Sequence, residues 1–529
     1  MMMQRRLCVV ALFLAVVAAP ALGSTLTVTN TSDSGAGSLR DALSAAAPGD
    51  TINFSVASPA TITLASTLQI NSNVTISGPG AASLAISGGN AVTVFSVAQG
   101  VTASISGVTI ENGNGSDGGA VYNPGGTVTL TNVNIANNSA PFYGAGVLNF
   151  GGTVVVTNST FATNSSAEMG GAIFNEGGTV TLNNSTVAGN SAPYYGGAVY
   201  NAGGTLNLTN STFSNNSSTY YGGAIWNSGY GTVTIVSSTF VGNSSGQGGG
   251  IVNYYYSTAT FKNSVFANNT GGNCFSSGGV QTSNGYNLSD DASCATDYLN
   301  ASTDLNNTPA QLDSNGLQNN GGPTQTVALA STSPAVDAVP VAACTQSDGV
   351  TPLTVDQRGV TRPQGAACDM GAFELAQSEV FSSFTAKLDA RGGANGAFEL
   401  NATFTLAAGS SGIDPLTQAV QLQIGPYQVT IPAGSFRQLQ GGAKAGGYVF
   451  TGTIGSTALA VQIVPLGSNT YQLKAVGAPV DFSSLTNPAQ ITLTIGKNTG
   501  TTTVDPPTAS PRRDKTNRGH HVGDDRDGD

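Results

Sequence analysis

The stretch Gly118-Gly-Ala-Val-Tyr-Asn123 decides the fold, because variants of it recur at an unvarying interval of 26 residues. The five further copies begin at Gly144, Gly170, Gly196, Gly222 and Gly248. A fixed period of this length is typical of a solenoid, in which a repeat cannot bury its apolar residues alone and must stack on its neighbours. The sequence therefore predicts a stack of coils and not a globular pocket protein.

Two further elements complete each repeat. In Thr127-Val-Thr-Leu-Thr-Asn132 apolar and polar residues alternate, and this period of two predicts a strand with one buried face. The third element has an apolar residue three positions before an Asn; these residues are Ile135, Phe161, Val187, Phe213, Phe240 and Phe266. Each repeat is thus expected to hold three short strands and three corners. Paired coil upon coil, they predict a parallel β-helix over residues 51–300.

The Asn that ends the first element forms a column of its own: Asn123, Asn149, Asn175, Asn201, Asn227 and Asn253. Asn tolerates left-handed corners, and its amide can bond to the equivalent amides above and below it. We therefore predict that this column is structural.

Gly-Gly-Ala followed by an aliphatic residue alternates in one register with Phe-x-x-Asn, as from Phe161 to Asn164 and from Phe213 to Asn216. Over roughly residues 100 to 270 this pattern resembles the repeats of bacterial polymorphic outer membrane proteins. The resemblance implies a right-handed, pectin-lyase-like parallel β-helix that is secreted or displayed at the cell surface, associated with the outer membrane, and active in adhesion. The crossover rule for parallel strands favours the same handedness.

Two flanking segments resemble bacterial secreted β-helix proteins that carry a variable C-terminal anchor region. In residues 24–50, Thr25-Leu-Thr-Val-Thr-Asn30 predicts a strand, and Gly37-Ser-Leu-Arg-Asp-Ala-Leu43 predicts a short helix capped by Ser38. Residues 301–378 are expected to close the far end of the coils. Their charged residues form either the ion pairs of this cap or a catalytic cluster, and we favour the cap because charges shield unpaired strand edges. These residues are Asp356, Arg358, Arg362, Asp369 and Glu374.

The remaining segments have other patterns. Residues 1–23 combine Arg5 and Arg6 with an apolar run and a small-residue cleavage site, which predicts a secretory signal peptide. Short alternating strands divided by Gly, Pro and Asn predict a β-sandwich over residues 379–500. Residues 501–529 lack apolar periodicity and are expected to be a disordered tail.

Composition favours an extracellular protein. The 529 residues include 70 Gly, only 9% are charged, and the net charge is −11, so nucleic acid is not expected as a partner. No stretch of the mature chain approaches the ~20 apolar residues of a membrane span. Its four cysteines fit an oxidising compartment and allow three pairings, of which we favour Cys274–Cys294 and Cys344–Cys368. A metal site is disfavoured because Cys-x-x-Cys spacing and a nearby His are absent.

The charged residues argue against an enzyme. Both histidines, His520 and His521, lie in the predicted tail, which removes His-dependent chemistry from the folded part. Between Asp41 and Asp356 the one basic residue is Lys262, so an anionic sugar would find no cation to hold it. Glu168 and Glu176 are the conceivable acid pair, but no sequence feature brings them together. We therefore predict no catalytic residue and no cofactor; the alternative is a pectin-lyase-like carbohydrate-active enzyme or polysaccharide-binding protein.

Aromatic residues supply the candidate contact face. If the aliphatic residue of each copy points inward, its neighbour points outward, and loop rings precede each Gly-Gly on the same flank. An exposed aromatic stripe suits an extracellular glycan or a surface protein of a host or neighbouring cell. The alternative is a ladder of rings that stack only on each other. The predicted binding residues are Tyr122, Tyr143, Phe174, Tyr195, Tyr200, Tyr221 and Trp226.

Overall fold

The computed structural model describes residues 23–116, 118–376, 379–408, 410, 412–439 and 446–505. The predicted signal peptide, apart from Gly23, and the tail beyond residue 505 lie outside the described residues. The chain divides into two compact units, Met1–Leu375 and Ala376–Asp529.

The first unit is a parallel β-solenoid built from three long sheets, which we name A, B and C. Sheet A has eleven strands: Thr25–Val28, Asp50–Phe54, Val74–Ser77, Thr102–Ser106, Thr127–Thr131, Thr153–Thr157, Thr179–Asn183, Thr205–Thr209, Thr232–Val236, Thr258–Lys262 and Val280–Ser283. Sheet B has ten: Ala60–Thr63, Leu84–Ser87, Thr109–Glu111, Asn134–Ala136, Thr160–Ala162, Thr186–Ala188, Thr212–Ser214, Thr239–Val241, Val265–Ala267 and Leu288–Ser289. Sheet C has nine: Leu68–Ile70, Phe95–Val97, Val121–Asn123, Val147–Phe150, Ile173–Glu176, Val199–Ala202, Ile225–Ser228, Ile251–Tyr254 and Cys274–Ser277.

The predicted coil is confirmed, with one addition. Aliphatic and Phe residues of all three sheets point inward, and Leu182 and Phe213, for example, are fully buried. Inward rings stack along the solenoid, as Phe213 does on Phe240 with centroids 4.8 Å apart. A fourth, short sheet, which was not predicted, pairs Ser139–Ala140, Ser165–Ser166, Ser191–Ala192 and Ser217–Ser218. These two-residue strands lie in the loop that leads to each Gly-Gly.

Asparagines form two buried ladders. In the predicted column the Asn123 amide donates to the Asn149 side-chain oxygen at 2.7 Å, and each following member repeats this bond to Asn253. The Asn138 to Asn269 column does the same at 2.9 Å. The left-handed corners were assigned to the wrong asparagines. They are occupied by Asn132, Asn158, Asn184, Asn210 and Asn263, because the sharp turn between sheets A and B falls there.

The N-terminal segment has the predicted local structure. Strand Thr25–Val28 pairs in parallel with Asp50–Phe54 and so becomes the first strand of sheet A. Helix Leu39–Ala45 follows, and the Ser38 side chain accepts a hydrogen bond from the Asp41 backbone amide, which confirms Ser38 as its cap. Leu39 and Ala42 of this helix are buried against the first coils.

Residues that precede the predicted cap in the sequence help to close the far end of the coils. Tyr298 is buried in the core, where its hydroxyl donates to the carbonyl oxygen of Phe275 and accepts from the amide of Asn253 at 3.0 Å. The Cys274–Cys294 disulfide, one of the two predicted pairs, ties this segment to the last strand of sheet C. These residues therefore cover the end of sheet C, whereas the end of sheet B is covered by Leu305 of the predicted cap, which pairs in parallel with Leu288.

Residues 309–375 instead lie along the flank of the solenoid. They contain the antiparallel strands Leu312–Gln318 and Thr326–Leu329 and a 3-10 turn, Val341–Ala343. The buried Gln357 amide bonds to Thr186 and Thr212 of successive coils at 2.9 and 2.6 Å. Asn210 donates to the Val355 carbonyl at 2.8 Å, so corner asparagines also hold this segment. The second predicted disulfide, Cys344–Cys368, lies within it.

The charged residues of this segment are bonded to each other and to the backbone. Arg362 Nη1 lies 2.8 Å from Glu374 Oε2. The Arg358 guanidinium donates two hydrogen bonds to Asp356 Oδ2, the shorter of them from Nη2 at 2.7 Å. Asp369 accepts amide hydrogen bonds on both oxygens. Burial, and then the Glu374 carboxylate, raise the pKa of Asp369 to about 7.

The second unit consists of two antiparallel sheets that share one apolar core. The five-stranded sheet contains Glu379–Val380, Val420–Ile424, Tyr427–Ile431, Ala489–Ile495 and Asn498–Val504, of which the first pairs in parallel. The six-stranded sheet contains Ser383–Arg391, Gly396–Thr405, Arg437–Gln438, Tyr448–Ile454, Thr457–Gly467 and Thr470–Val480. The last strand continues to Val504, four residues beyond the predicted end of the sandwich.

Candidate functional site

Three columns of side chains cover the outer side of sheet C. The sheet itself contributes Tyr122, Leu148, Phe174, Tyr200, Trp226, Val252 and Phe275, which are paired in register. The loop before each Gly-Gly contributes a second column, Tyr143, Met169, Tyr195, Tyr221 and Gln247. The turn after each ladder Asn contributes a third, Phe150, Glu176, Ala202, Ser228, Tyr254 and Ser277. We call this surface the aromatic flank.

The predicted binding residues all lie on the aromatic flank, but the sheet rings are not the exposed stripe that we expected. Phe174 is only 5% exposed and Trp226 only 6%. The reason is that two loop rings each cover a sheet ring of the next coil: Tyr143 stacks on Phe174 with centroids 4.7 Å apart, and Tyr195 lies 4.6 Å from Trp226. The sheet and loop rings thus form a double layer, of which the loop rings are the outer one.

A change of loop length opens this double layer. The Gly-Gly copies keep a period of 26 residues here. Thr205 nevertheless pairs with Thr232 and Ser217 with Ser244, and the members of each pair are 27 residues apart. One extra residue enters the turn after Asn227, and the loop that ends at Gln247 is one residue shorter, so the two changes cancel. Where earlier coils carry loop rings, this coil carries Gly246 and Gln247.

The ring covering stops here, and a groove of about 570 Å³ opens beside it. Seven of its ten lining residues are aromatic, and the other three are two serines and a glycine. The lining residues are Tyr195, Tyr200, Tyr221, Trp226, Ser228, Gly229, Tyr254, Tyr255, Phe275 and Ser277. We call this site the tyrosine groove.

Tyrosines in left-handed turns continue the tyrosine groove to the surface, and we include these three residues in the aromatic flank. Tyr230, Tyr255 and Tyr256 have φ values of 69°, 27° and 57°, a conformation that side chains with a Cβ rarely adopt. Earlier coils place Gly151, Gly177 and Gly203 at such turns. The three rings are 74%, 51% and 64% exposed, and Tyr230 stacks on Tyr256 with centroids 5.3 Å apart. Strained backbone combined with exposed rings is typical of a functional surface.

Sequence reasoning identified Tyr195, Tyr200, Tyr221 and Trp226 of the groove but missed its other half. It also missed the exposed turn tyrosines. The missing residues are Tyr254, Tyr255, Phe275, Tyr230 and Tyr256. A signal was present, because Tyr230 and the run Tyr254-Tyr-Tyr256 stand in the turn where earlier repeats have Gly-Gly.

The two acids of the conceivable pair, Glu168 and Glu176, both affect Tyr143. A hydrogen bond to the Glu168 carboxylate, then burial and more weakly the charge of Glu176, raise the pKa of the Tyr143 hydroxyl. Glu168 thus bonds to the Tyr143 hydroxyl, whereas Glu176 acts on it only through its charge, and this phenol lies outside the lining of the tyrosine groove.

Lys262, the single cation of the coil sequence, is used structurally. It is buried, and its ammonium group donates to the Thr345 hydroxyl and to the Gln346 carbonyl at 3.3 Å, so it holds the flanking segment on the last coils. Burial lowers its pKa. Within the described ranges, no group of three or more His, Cys, Asp or Glu side chains is placed to hold a metal ion.

Comparison with known proteins agrees with this architecture. Residues 62–240 match the family model described as a right handed beta helix region. No curated protein matches the sequence significantly. The described part of the chain contains no helix of the length and apolarity that crossing a membrane requires. The chain thus contains a right-handed β-helix of a kind that occurs in enzymes and in non-enzymes.

Proposed function

We propose that this chain is a non-catalytic β-helix protein, secreted or displayed at the cell surface, that adheres to an extracellular partner through the aromatic flank. One observation carries the proposal: the exposed Tyr230, Tyr255 and Tyr256 occupy strained turns beside an open groove of rings. Exposed tyrosines supply large, rigid contact area with a polar edge, which is the composition of many recognition surfaces. Two disulfides fit an oxidising extracellular compartment.

Adhesion is tested with beads that carry the full chain, washed over immobilised plant and bacterial polysaccharides and over epithelial cell layers. The triple variant Tyr230→Ser, Tyr255→Ser, Tyr256→Ser should lose most retention, because hot-spot rings typically contribute about 2 kcal/mol or more each. Val350→Ser is the control, since Val350 is an exposed apolar residue on the flanking segment outside the aromatic flank. Equal retention of the triple variant and the parent would refute the aromatic flank as the adhesive surface.

A polysaccharide-cleaving enzyme is the second candidate, and the contact between Tyr143 and Glu168 is the observation that favours it. A phenol beside a carboxylate can exchange a proton with a bound sugar. Neutral and uronate polysaccharides should be incubated with the parent, with Glu168→Gln and with Glu176→Gln, and new reducing ends and unsaturated products measured. Turnover by the parent that disappears in either variant would replace the adhesion proposal.

A further inference from the structure

We infer that the tyrosine groove binds an uncharged oligosaccharide. This inference rests on the proposed function and gives its contact site a ligand class. A site of about 570 Å³ lies within the size range of small-ligand pockets, which are typically lined by rings and a few polar groups. Hydroxyls of Ser228, Ser277 and the tyrosines can donate to and accept from sugar hydroxyls.

The rings of the groove are covered to different extents. One face of the lining residue Tyr200 is covered, because it stacks on Phe174 of the preceding coil at 4.9 Å with an interplanar angle of 4°. At the groove, Tyr254 and Tyr255 are inclined by 58° and Tyr221 and Trp226 by 56°. Inclined rings cannot cover one another completely, and this leaves aromatic faces available to the apolar face of a sugar ring.

The groove lining should not favour acidic sugars. The groove lining contains neither a cation nor an anion. Lys262 cannot serve, because its ammonium group is buried and bonded to Thr345 and Gln346. A uronate or sulfate group in the groove would lose hydration without gaining a charged partner, which is unfavourable. An uncharged chain has no such penalty.

The length of the groove along the solenoid suits a chain of sugar residues better than a single sugar. Six of the ten lining residues come from four neighbouring strands of sheet C, Val199–Ala202, Ile225–Ser228, Ile251–Tyr254 and Cys274–Ser277. Three strand spacings span roughly 14 Å along the solenoid. Affinity should therefore rise with the number of sugar residues until the groove is filled.

Trp226 makes the test direct, because it is the single tryptophan of the sequence and lines the groove. The full chain is titrated with cellohexaose, xylohexaose, mannohexaose, maltohexaose and chitohexaose, with hexagalacturonate as the anionic probe, and Trp226 fluorescence is followed. At least one uncharged probe should give a saturable change that weakens as the chain is shortened. Hexagalacturonate should give none.

Tyr255→Ser and Tyr221→Ser should each weaken the binding about tenfold or more. Phe142→Ser is the matched control, because Phe142 is an exposed ring in the equivalent loop of a coil outside the groove. The Phe142→Ser variant should bind the saccharide with the affinity of the parent. Tyr255 is exposed, so Tyr255→Ser keeps the test valid if Tyr221→Ser fails to fold. The inference is overturned if no uncharged probe binds, if hexagalacturonate binds equally well, or if both groove variants bind like the parent.

The adhesion assay separates this inference from the proposed function. If the groove variants lose adhesion while no saccharide binds, adhesion stands and the uncharged-saccharide inference falls. If saccharides bind at the groove while adhesion is unchanged in the same variants, the saccharide site stands and adhesion through the aromatic flank falls.

Discussion

The ring of Tyr256 is exposed, but the backbone conformation that places it there is strained. Its φ of 57° strains any residue with a Cβ, whereas glycine adopts it freely. We expect Tyr256→Gly to melt at a higher temperature than Tyr256→Ala by an amount equivalent to about 1 kcal/mol, although both variants lose the same ring. Calorimetric melting of the two variants checks this. Equal melting temperatures would mean that the turn is unstrained and would remove one argument for a functional surface.

Asp369 makes the stability of the first unit depend on pH. Its pKa is raised to about 7 in the folded chain, chiefly by burial, from an ordinary value of 3.8. The folded state therefore binds more protons than the unfolded state between about pH 4 and 7. This stabilisation is fully present below the unfolded pKa and is lost as pH rises through 7. We expect denaturant unfolding of the first unit to become easier across this window.

Asp369→Asn is the comparison for that pH profile. The variant cannot titrate, so its unfolding midpoint should change less between pH 4 and 7 than that of the parent, whatever its absolute stability. The same slope in both proteins would assign the pH dependence to other groups. The sequence could predict that Asp369 lies in a charged cluster, but not that both its oxygens would be buried against backbone amides.

At the scale of the strand, the alternation of apolar and polar residues is the feature that holds the coil together. Leu182 is fully buried, whereas Thr181, its neighbour on the strand Thr179–Asn183, is half-buried on the outer face. Leu182→Asp should place an unpaired charge in the core and lower the free energy of unfolding by several kcal/mol. Thr181→Asp is the control and should change it by less than about 1 kcal/mol. Similar melting temperatures for the two variants would contradict the inward and outward assignment.

The strands and the buried faces could be predicted from the sequence because period-two alternation and a constant repeat leave few alternatives. The burial of the sheet rings could not be predicted, because Phe174 and Trp226 are each covered by a loop ring from the neighbouring coil. The path of residues 309–375 along the flank could not be predicted either. Their contacts, such as Gln357 with Thr186 across 171 residues, have no periodic signal.

At the scale of the whole molecule, each compact unit has its own apolar core. Trp226 belongs to the first unit, so tryptophan fluorescence reports the unfolding of that unit, whereas far-ultraviolet circular dichroism reports both. We expect the two thermal transitions to differ, because separate cores need not unfold together. Coincident transitions that separate after proteolytic cleavage near residue 376 would instead indicate one cooperative unit in the intact chain.

The compensating length changes around the tyrosine groove bear on how such a chain can diversify. Because the longer turn after Asn227 and the shorter loop before Gly248 cancel, the copies that begin at Gly222 and Gly248 remain 26 residues apart. Duplication or deletion of one 26-residue coil between Gly118 and Tyr195 would therefore change the distance from the N-terminal helix to the groove by about 4.8 Å and leave the groove intact. Copy number of coils can thus adjust how far the groove is held from the N-terminal end, independently of what it binds.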